Sequence, residues 1–127
     1  MCKTIKQVVS FKAPPEKLYP LLVDAKLFRA VTGQAASKLA KVGERFSAFD
    51  GNVSGVIVDL APSKRVVQAW RHTSFAEGIF SMVTMRLSAK QTGTQLTLIH
   101  RGVPKELIPD VEKMWREQFW EPIKEYL

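Results

Sequence analysis

The chain has 127 residues, an apolar fraction of 46%, a charged fraction of 24% and a single cysteine. This size and composition are typical of one soluble globular domain, spanning 1–127, that folds without disulfides. No apolar run approaches the ~18 residues of a membrane-spanning helix, and a lone Cys2 excludes an internal disulfide or a thiolate metal cluster. Because the N-terminal segment lacks an apolar signal core, we expect a cytoplasmic protein with no membrane partner.

The net charge of +7 is unevenly distributed along the chain. Residues 1–101 hold 15 of the 19 Lys and Arg but 6 of the 12 Asp and Glu, so this part carries +9 and the remainder −2. Such a basic body attracts acidic protein surfaces, nucleic acid and anionic lipid alike. Since the sequence has no Arg-rich tract, zinc-finger spacing or RNA-binding signature, we expect no nucleic-acid partner.

The first half of the chain predicts a strand, two short helices and then further strands. Loose apolar alternation predicts the first strand over 3–12, and a helix follows over 16–23 with proline in its first turn. Asp24 is suited to cap a second helix over 25–31, which Gly33 ends. Strands are expected over 36–39 and 44–49, then a tight turn at Asp50-Gly51. Gly55, inside the next strand over 53–60, indicates a bulge or a close backbone approach.

The second half predicts three more strands, over 66–72, 79–87 and 96–101. A loop over 75–78 and a turn at 90–93 connect them, and such short connections favour antiparallel neighbours. Side-chain alternation assigns one set of residues to the face of the sheet that packs on a helix. These inward residues are Val66, Gln68, Trp70, Val83, Met85, Leu87, Leu96, Leu98 and His100.

Residues 104–127 predict a long amphipathic helix. Apolar side chains recur at steps of three and four, on one stripe of a helix: Leu107, Val111, Met114, Trp115, Phe119, Ile123 and Tyr126. A helix of ~20 residues spans ~30 Å, the width of a small domain. The expected architecture is therefore α+β, an antiparallel sheet with the long helix on one face.

Several short motifs in this order resemble one protein family. They are Asp50-Gly51-Asn52-Val53-Ser54-Gly55, Asp59-Leu60-Ala61-Pro62, Val66-Val67-Gln68-Ala69-Trp70-Arg71, Glu77-Gly78 and Arg101-Gly102-Val103-Pro104. Together they are similar to the C-terminal domain of the activator of the ninety-kilodalton heat-shock protein ATPase, and the likeness extends over residues 5–124. The resemblance implies a helix-grip fold of the START-like, birch-pollen-allergen-like kind, in which a curved sheet wraps a long C-terminal helix and two short helices follow the first strand.

The resemblance also implies a co-chaperone that binds the heat-shock protein and stimulates its ATPase. Full-length family members carry a further N-terminal domain, which is not part of this sequence, and the family's Trp-Pro-Glu-Gly motif stands here as Phe75-Ala76-Glu77-Gly78. The alternative function is that of a START-like carrier of a small apolar ligand.

Two groups of residues are candidates for the functional site. The first would line an apolar pocket between sheet and helix, or else fill a closed core: Gln68, Trp70, Met85, Leu98, His100, Trp115 and Phe119. The second group is Arg71, Arg86 and Arg101, which the strand alternation places together on the outer face of the sheet as a basic stripe. That stripe would either dock on an acidic chaperone surface or serve solubility.

Catalytic and metal chemistry are not expected. The two histidines, His72 and His100, lack a third histidine, a cysteine cluster or a His-Glu-x-x-His run beside them. A serine-nucleophile elbow, a phosphate-binding loop and a dinucleotide fingerprint are also absent from the sequence. We therefore expect neither enzymatic activity nor a cofactor, with His72 exposed and His100 turned inward in a structural role.

Overall fold

The computed structural model describes the backbone of residues 2–37 and 39–127, and their side chains from Thr4 onward. The strands are β1 (Cys2–Phe11), β2 (Arg45–Ala48), β3 (Val53–Ala61), β4 (Arg65–His72), β5 (Ser81–Lys90) and β6 (Gly93–Pro104). The helices are α1 (Pro15–Val23), α2 (Ala25–Thr32), α3 (Ile108–Met114) and α4 (Glu121–Tyr126), with a π-helical segment (Trp115–Trp120) between the last two. Short 3₁₀ turns cover Phe49–Gly51 and Lys105–Leu107.

The strands within the described part form one curved antiparallel sheet in the order β1-β6-β5-β4-β3-β2. The C-terminal helix lies across its concave face, so the protein is α+β and has the helix-grip fold. Local signals behave as expected, since Asp24 Oδ1 accepts hydrogen bonds from the N–H groups of Lys26 and Leu27 at 2.9 and 3.1 Å. Gly33 ends α2 in a left-handed conformation, with a φ of 76°.

One predicted strand, over 36–39, is wrong as an element of the sheet. Ser37 forms an isolated bridge with Ser47, and Lys38 lies outside the described residues. Apolar composition alone could not distinguish this segment from a strand. Here it covers the outer edge of the short strand β2, because the N–H and C=O of Ser47 both bond to Ser37.

Gly55 in β3 marks a close approach of two backbones. A Cβ added at this position would overlap the Ala69 carbonyl oxygen on β4. The Phe46 side chain on β2 would also lie 3.0 Å from that Cβ. The glycine is therefore required by the spacing between strands, as the sequence indicated.

The C-terminal helix departs from a regular α-helix in its middle. The Glu121 N–H bonds to the Arg116 carbonyl, five residues back, and Pro122 follows with no N–H to donate. The wider turn changes the rotation per residue, so Trp120, which lies off the predicted stripe, is buried with 3% of its surface exposed. The prediction that Tyr126 belongs to the buried stripe is wrong, because its side chain is 59% exposed.

Candidate functional site

All seven candidate pocket residues lie in the interior between the sheet and the helix. Their exposed fractions run from 0% to 5%: Gln68, Trp70, Met85, Leu98, His100, Trp115 and Phe119. The alternation on β4, β5 and β6 was therefore assigned to the correct face, since every inward residue of these three strands named above is buried.

The interior is a filled core, because the void enclosed there measures about 10 Å³. Gln68, Trp70, Met85, Trp115 and Phe119 are among the residues that line this void. A void of this size holds at most about one water molecule, whereas small-molecule pockets commonly enclose roughly 300–1,000 Å³. A larger concavity of about 830 Å³ lies elsewhere, open to solvent between α1, α2 and residues 39–44.

His100 is the centre of a chain of buried hydrogen bonds. The Trp115 indole N–H donates to His100 Nδ1 at 3.0 Å, and an indole nitrogen is a donor only. The neutral imidazole therefore carries its proton on Nε2 and donates it to Ser81 Oγ at 2.7 Å. The Ser81 hydroxyl in turn donates to the Trp70 carbonyl oxygen at 2.8 Å.

This arrangement fixes the charge state of His100. Burial disfavours the imidazolium form and lowers the pKa of His100 to about 3. Both ring nitrogens have protein partners and the side chain is 0% exposed, so neither nitrogen is accessible to a substrate. His100 joins the helix to the sheet through a neutral imidazole.

Aromatic rings surround this hydrogen-bond chain. Trp115 stacks on Trp70 with ring centroids 5.8 Å apart and on Trp120 at 5.4 Å. The His100 ring meets Trp70 edge-on at 4.6 Å. Trp120 also donates its indole N–H to Gln7 Oε1 on β1 at 2.7 Å, so the helix is fixed to both the centre and the edge of the sheet.

His72, at the end of β4, is half-buried rather than exposed. Its Nδ1 accepts a hydrogen bond from the Ser74 N–H at 3.0 Å. Partial burial lowers the pKa of His72, and the nearby Asp110 carboxylate opposes that shift. His72 thus caps the turn that leaves β4.

The three candidate docking arginines all point away from the core. The strand register places Arg71 and Arg101 near the start of β5 and Arg86 further along that strand. Arg101 on β6 lies opposite Met82 on β5. Arg86 is four residues further along β5, roughly 13 Å away at ~3.3 Å per residue, where it faces Arg65 on β4. A single continuous stripe is therefore wrong, because register is set by long-range pairing that the sequence alone does not display.

Arg71 also contacts the loop between β4 and β5, a role that the sequence did not indicate. Its guanidinium donates to the carbonyl oxygens of Phe75, Ala76 and Ile79 at 3.1, 3.1 and 3.3 Å. It also lies 5.8 Å from the centroid of the Phe80 ring. Arg71 therefore holds the loop between β4 and β5 in shape.

Residues 2–37 and 39–127 provide neither a metal-binding cluster nor a membrane-spanning helix. No group of three or more His, Cys, Asp or Glu in those residues is arranged to hold a metal ion. None of the helices described there is both long and apolar enough to cross a membrane.

A curved antiparallel sheet closed around a long C-terminal helix defines a helix-grip domain of the START-like class. A sequence model of the family described as "Activator of Hsp90 ATPase homolog 1-like protein" matches residues 12–127. The chain belongs to this family.

Two curated relatives and one solved structure illustrate the similarity. The human activator of 90 kDa heat shock protein ATPase homolog 1 is 35% identical over 125 residues, covering 98% of this chain and 36% of the relative. The Dictyostelium discoideum homolog is 28% identical over 123 residues, covering 96% and 32%. This chain spans about a third of the length of these curated relatives.

The solved structure is that of an HSP90 activator from Plasmodium falciparum. It superposes with a TM-score of 0.84 at 26% identity, covering 97% of this chain and 93% of that one. The names of these relatives describe activators of a chaperone ATPase rather than enzymes.

Proposed function

We propose that this domain binds the ninety-kilodalton heat-shock protein and modulates its ATPase, as a cytoplasmic co-chaperone-like unit without catalytic chemistry of its own. The observation that carries the proposal is the similarity to the human activator over 98% of this chain. The experiment that tests it is ATP turnover by the purified heat-shock protein with and without this protein.

The physical support for a protein partner is the charge distribution. Residues 1–101 carry +9, and Arg86 and Arg101 on the outer face of the sheet are exposed. An acidic partner surface would be drawn to this face, which raises the association rate more than the final affinity. The carrier alternative is less well supported, since the interior void of about 10 Å³ has no space for an apolar ligand.

Reversing the charges of Arg86 and Arg101 to Glu is expected to slow association with the heat-shock protein at least about tenfold at low salt. The same interaction of the wild-type protein should weaken between about 50 and about 500 mM salt, over which the Debye length falls from roughly 14 to roughly 4 Å. Both effects are measured by surface plasmon resonance. Arg71 is left intact in this variant because it also supports a loop.

The matched control reverses Arg29 on α2 and Arg116 in the π-helical segment, which are exposed and lie off the outer face of the sheet. It changes the net charge equally and should alter the association rate much less. Equal slowing by both double variants would mean that net charge, not this face, governs association. Salt-independent binding would also contradict the proposal.

A protein of these 127 residues, tested by itself, is expected to stimulate the chaperone ATPase weakly and only at high concentration. Family resemblance assigns a second binding module to longer members, and tethering two modules can raise affinity about 10²–10⁴-fold because the second contact is intramolecular. Titrating ATP turnover against this protein, with and without a separately added N-terminal module, measures the difference. Full stimulation at substoichiometric amounts of this protein alone would contradict the expectation.

A further inference from the structure

Three large apolar side chains are exposed close together in the sequence, just before β5 and at its start. Ile79, Phe80 and Met82, here called the Phe80 patch, are 40%, 52% and 40% exposed. Among the residues whose side chains the structure describes, the other large apolar side chains with high exposure are distant from one another in the sequence: Val8, Val42, Val58 and Tyr126. Single exposed apolar residues are ordinary on a protein surface, whereas a contiguous group points to an interaction site.

The loop that presents the patch is fixed from both sides. On the inner side, Phe75 is 3% exposed and packs edge-on against Trp70 with ring centroids 5.8 Å apart. On the outer side, Arg71 bonds to three loop carbonyls, as described above. Gly78 adopts a φ of 79° just before the patch, a conformation that side-chain-bearing residues rarely take.

This fixation matters for binding because a preorganised surface loses less conformational entropy on association. Phe80 follows a loop that these contacts hold in place, with the guanidinium of Arg71 5.8 Å from the centroid of its ring. Aromatic residues, Met and Arg are the types enriched in protein–protein interfaces, and aromatic anchors that fill a pocket on the partner often dominate the affinity.

The charges around the patch indicate the chemistry of the partner. Arg101 on β6 lies opposite Met82, and the Arg71 guanidinium lies 5.8 Å from the Phe80 ring centroid. Arginines therefore flank the apolar group on two sides, while Glu77 is the acidic residue in the loop itself. A matching surface has an apolar pocket for Phe80 and an acidic rim for Arg101.

We propose that the Phe80 patch is the docking anchor of this domain, with Phe80 inserting into an apolar pocket that has an acidic rim on the partner protein and Arg71 acting as the positioning residue. The inference rests on the proposed function, since the partner it names is the ninety-kilodalton heat-shock protein. It moves the centre of the docking surface from the arginines to an aromatic side chain between them.

The test is the dissociation constant for the purified heat-shock protein, measured by isothermal titration calorimetry. Phe80→Ala should raise Kd at least about tenfold and leave the thermal midpoint nearly unchanged, because the side chain is half-exposed. The matched control is Tyr126→Ala, which removes an aromatic ring that is 59% exposed on α4 and should change Kd by less than about twofold.

A second variant tests the positioning role. Arg71→Lys keeps the charge but loses the planar fork that reaches three carbonyls. It should raise Kd and also speed amide hydrogen exchange over residues 75–80, and because the charge is kept, both effects would report the loss of the contacts to the loop carbonyls. Unchanged exchange in this loop would overturn the role assigned to Arg71.

The outcomes separate this inference from the proposed function. If the wild-type protein binds and Phe80→Ala binds equally well, or Tyr126→Ala weakens binding as much, the anchor is overturned while the function stands. If the wild-type protein does not bind at all, both fail. If Phe80→Ala lowers the thermal midpoint markedly, Kd is measured for Met82→Ala instead. A Met82→Ala variant that binds the heat-shock protein as tightly as the wild type would overturn the patch as a docking site.

Discussion

Replacing Trp115 by alanine is expected to lower the free energy of unfolding by about 3–5 kcal/mol, the range for a large aromatic side chain removed from a core. Trp115 is 1% exposed and packs against Trp70, Phe119 and Trp120. Its loss would leave a cavity between helix and sheet and remove the indole donor from His100 Nδ1. Chemical denaturation followed by far-UV circular dichroism measures the change.

A second substitution separates packing from hydrogen bonding at the same position. Trp115→Phe keeps much of the ring volume but leaves the buried His100 nitrogen without its donor, which is expected to cost about 1–3 kcal/mol. Tyr126→Ala on the same helix serves as the exposed control and should stay within about 0.5 kcal/mol of the wild type. A Trp115→Ala variant as stable as the Tyr126→Ala variant would contradict the closed core.

Acidification is expected to destabilise the protein through His100. The pKa of His100 is lowered to about 3 by burial, whereas an unfolded histidine has a pKa of about 6.5. Above pH 6.5 both states are neutral and the stability is intact. As the pH falls from about 6.5 towards about 3, His100 becomes protonated in the unfolded chain but stays neutral in the folded protein. The free energy of unfolding therefore decreases over this range. At ~1.4 kcal/mol per pH unit, the full loss approaches roughly 5 kcal/mol.

The His100→Gln variant isolates this contribution from that of the carboxylates, because they are the same in both proteins. Its free energy of unfolding should fall less steeply with decreasing pH than that of the wild type. His72→Gln is the matched control, since the pKa of this half-buried histidine is also lowered but Asp110 opposes the shift. It should keep most of the wild-type slope.

A direct titration checks the same prediction without any substitution. The imidazole NMR signals of His100 should remain those of the neutral ring with its proton on Nε2, from about pH 7.5 down to about pH 4.5. A midpoint near 6 would contradict the buried network, and so would equal pH slopes for the wild type and His100→Gln.

Much of the fold was predictable because its signals are local. Alternation on β4 correctly assigned Val66, Gln68 and Trp70 to the inside, since adjacent side chains on a strand must point to opposite faces. The Asp24 cap and the close approach at Gly55 were likewise readable from single residues. Each family motif is a short continuous stretch of sequence, so the resemblance could be detected without the structure. The family model that matches residues 12–127 confirms that resemblance.

Features of the helix and of the outer face were decided by tertiary structure. Trp120 is buried and Tyr126 exposed because the π-helical segment changes the phase of the helix, which a fixed step of three and four cannot show. Arg86 and Arg101 share a face but not a site, because the β5–β6 register places Arg101 beside Met82 and the Phe80 patch. Residue type and parity determine which face a side chain occupies, and register determines its neighbours.

The sequence by itself determined the α+β class, the inward face of the sheet and the family. It left open whether the space between sheet and helix is a ligand pocket or a core, since the seven candidate residues suit either. That choice depends on the volume remaining once large rings from distant segments interlock. Trp70 on β4 meets Trp115 and Phe119 of the helix only in the folded protein, where the void that they help to line is about 10 Å³. The same packing brings Ser81 and Trp115 to the two ring nitrogens of His100.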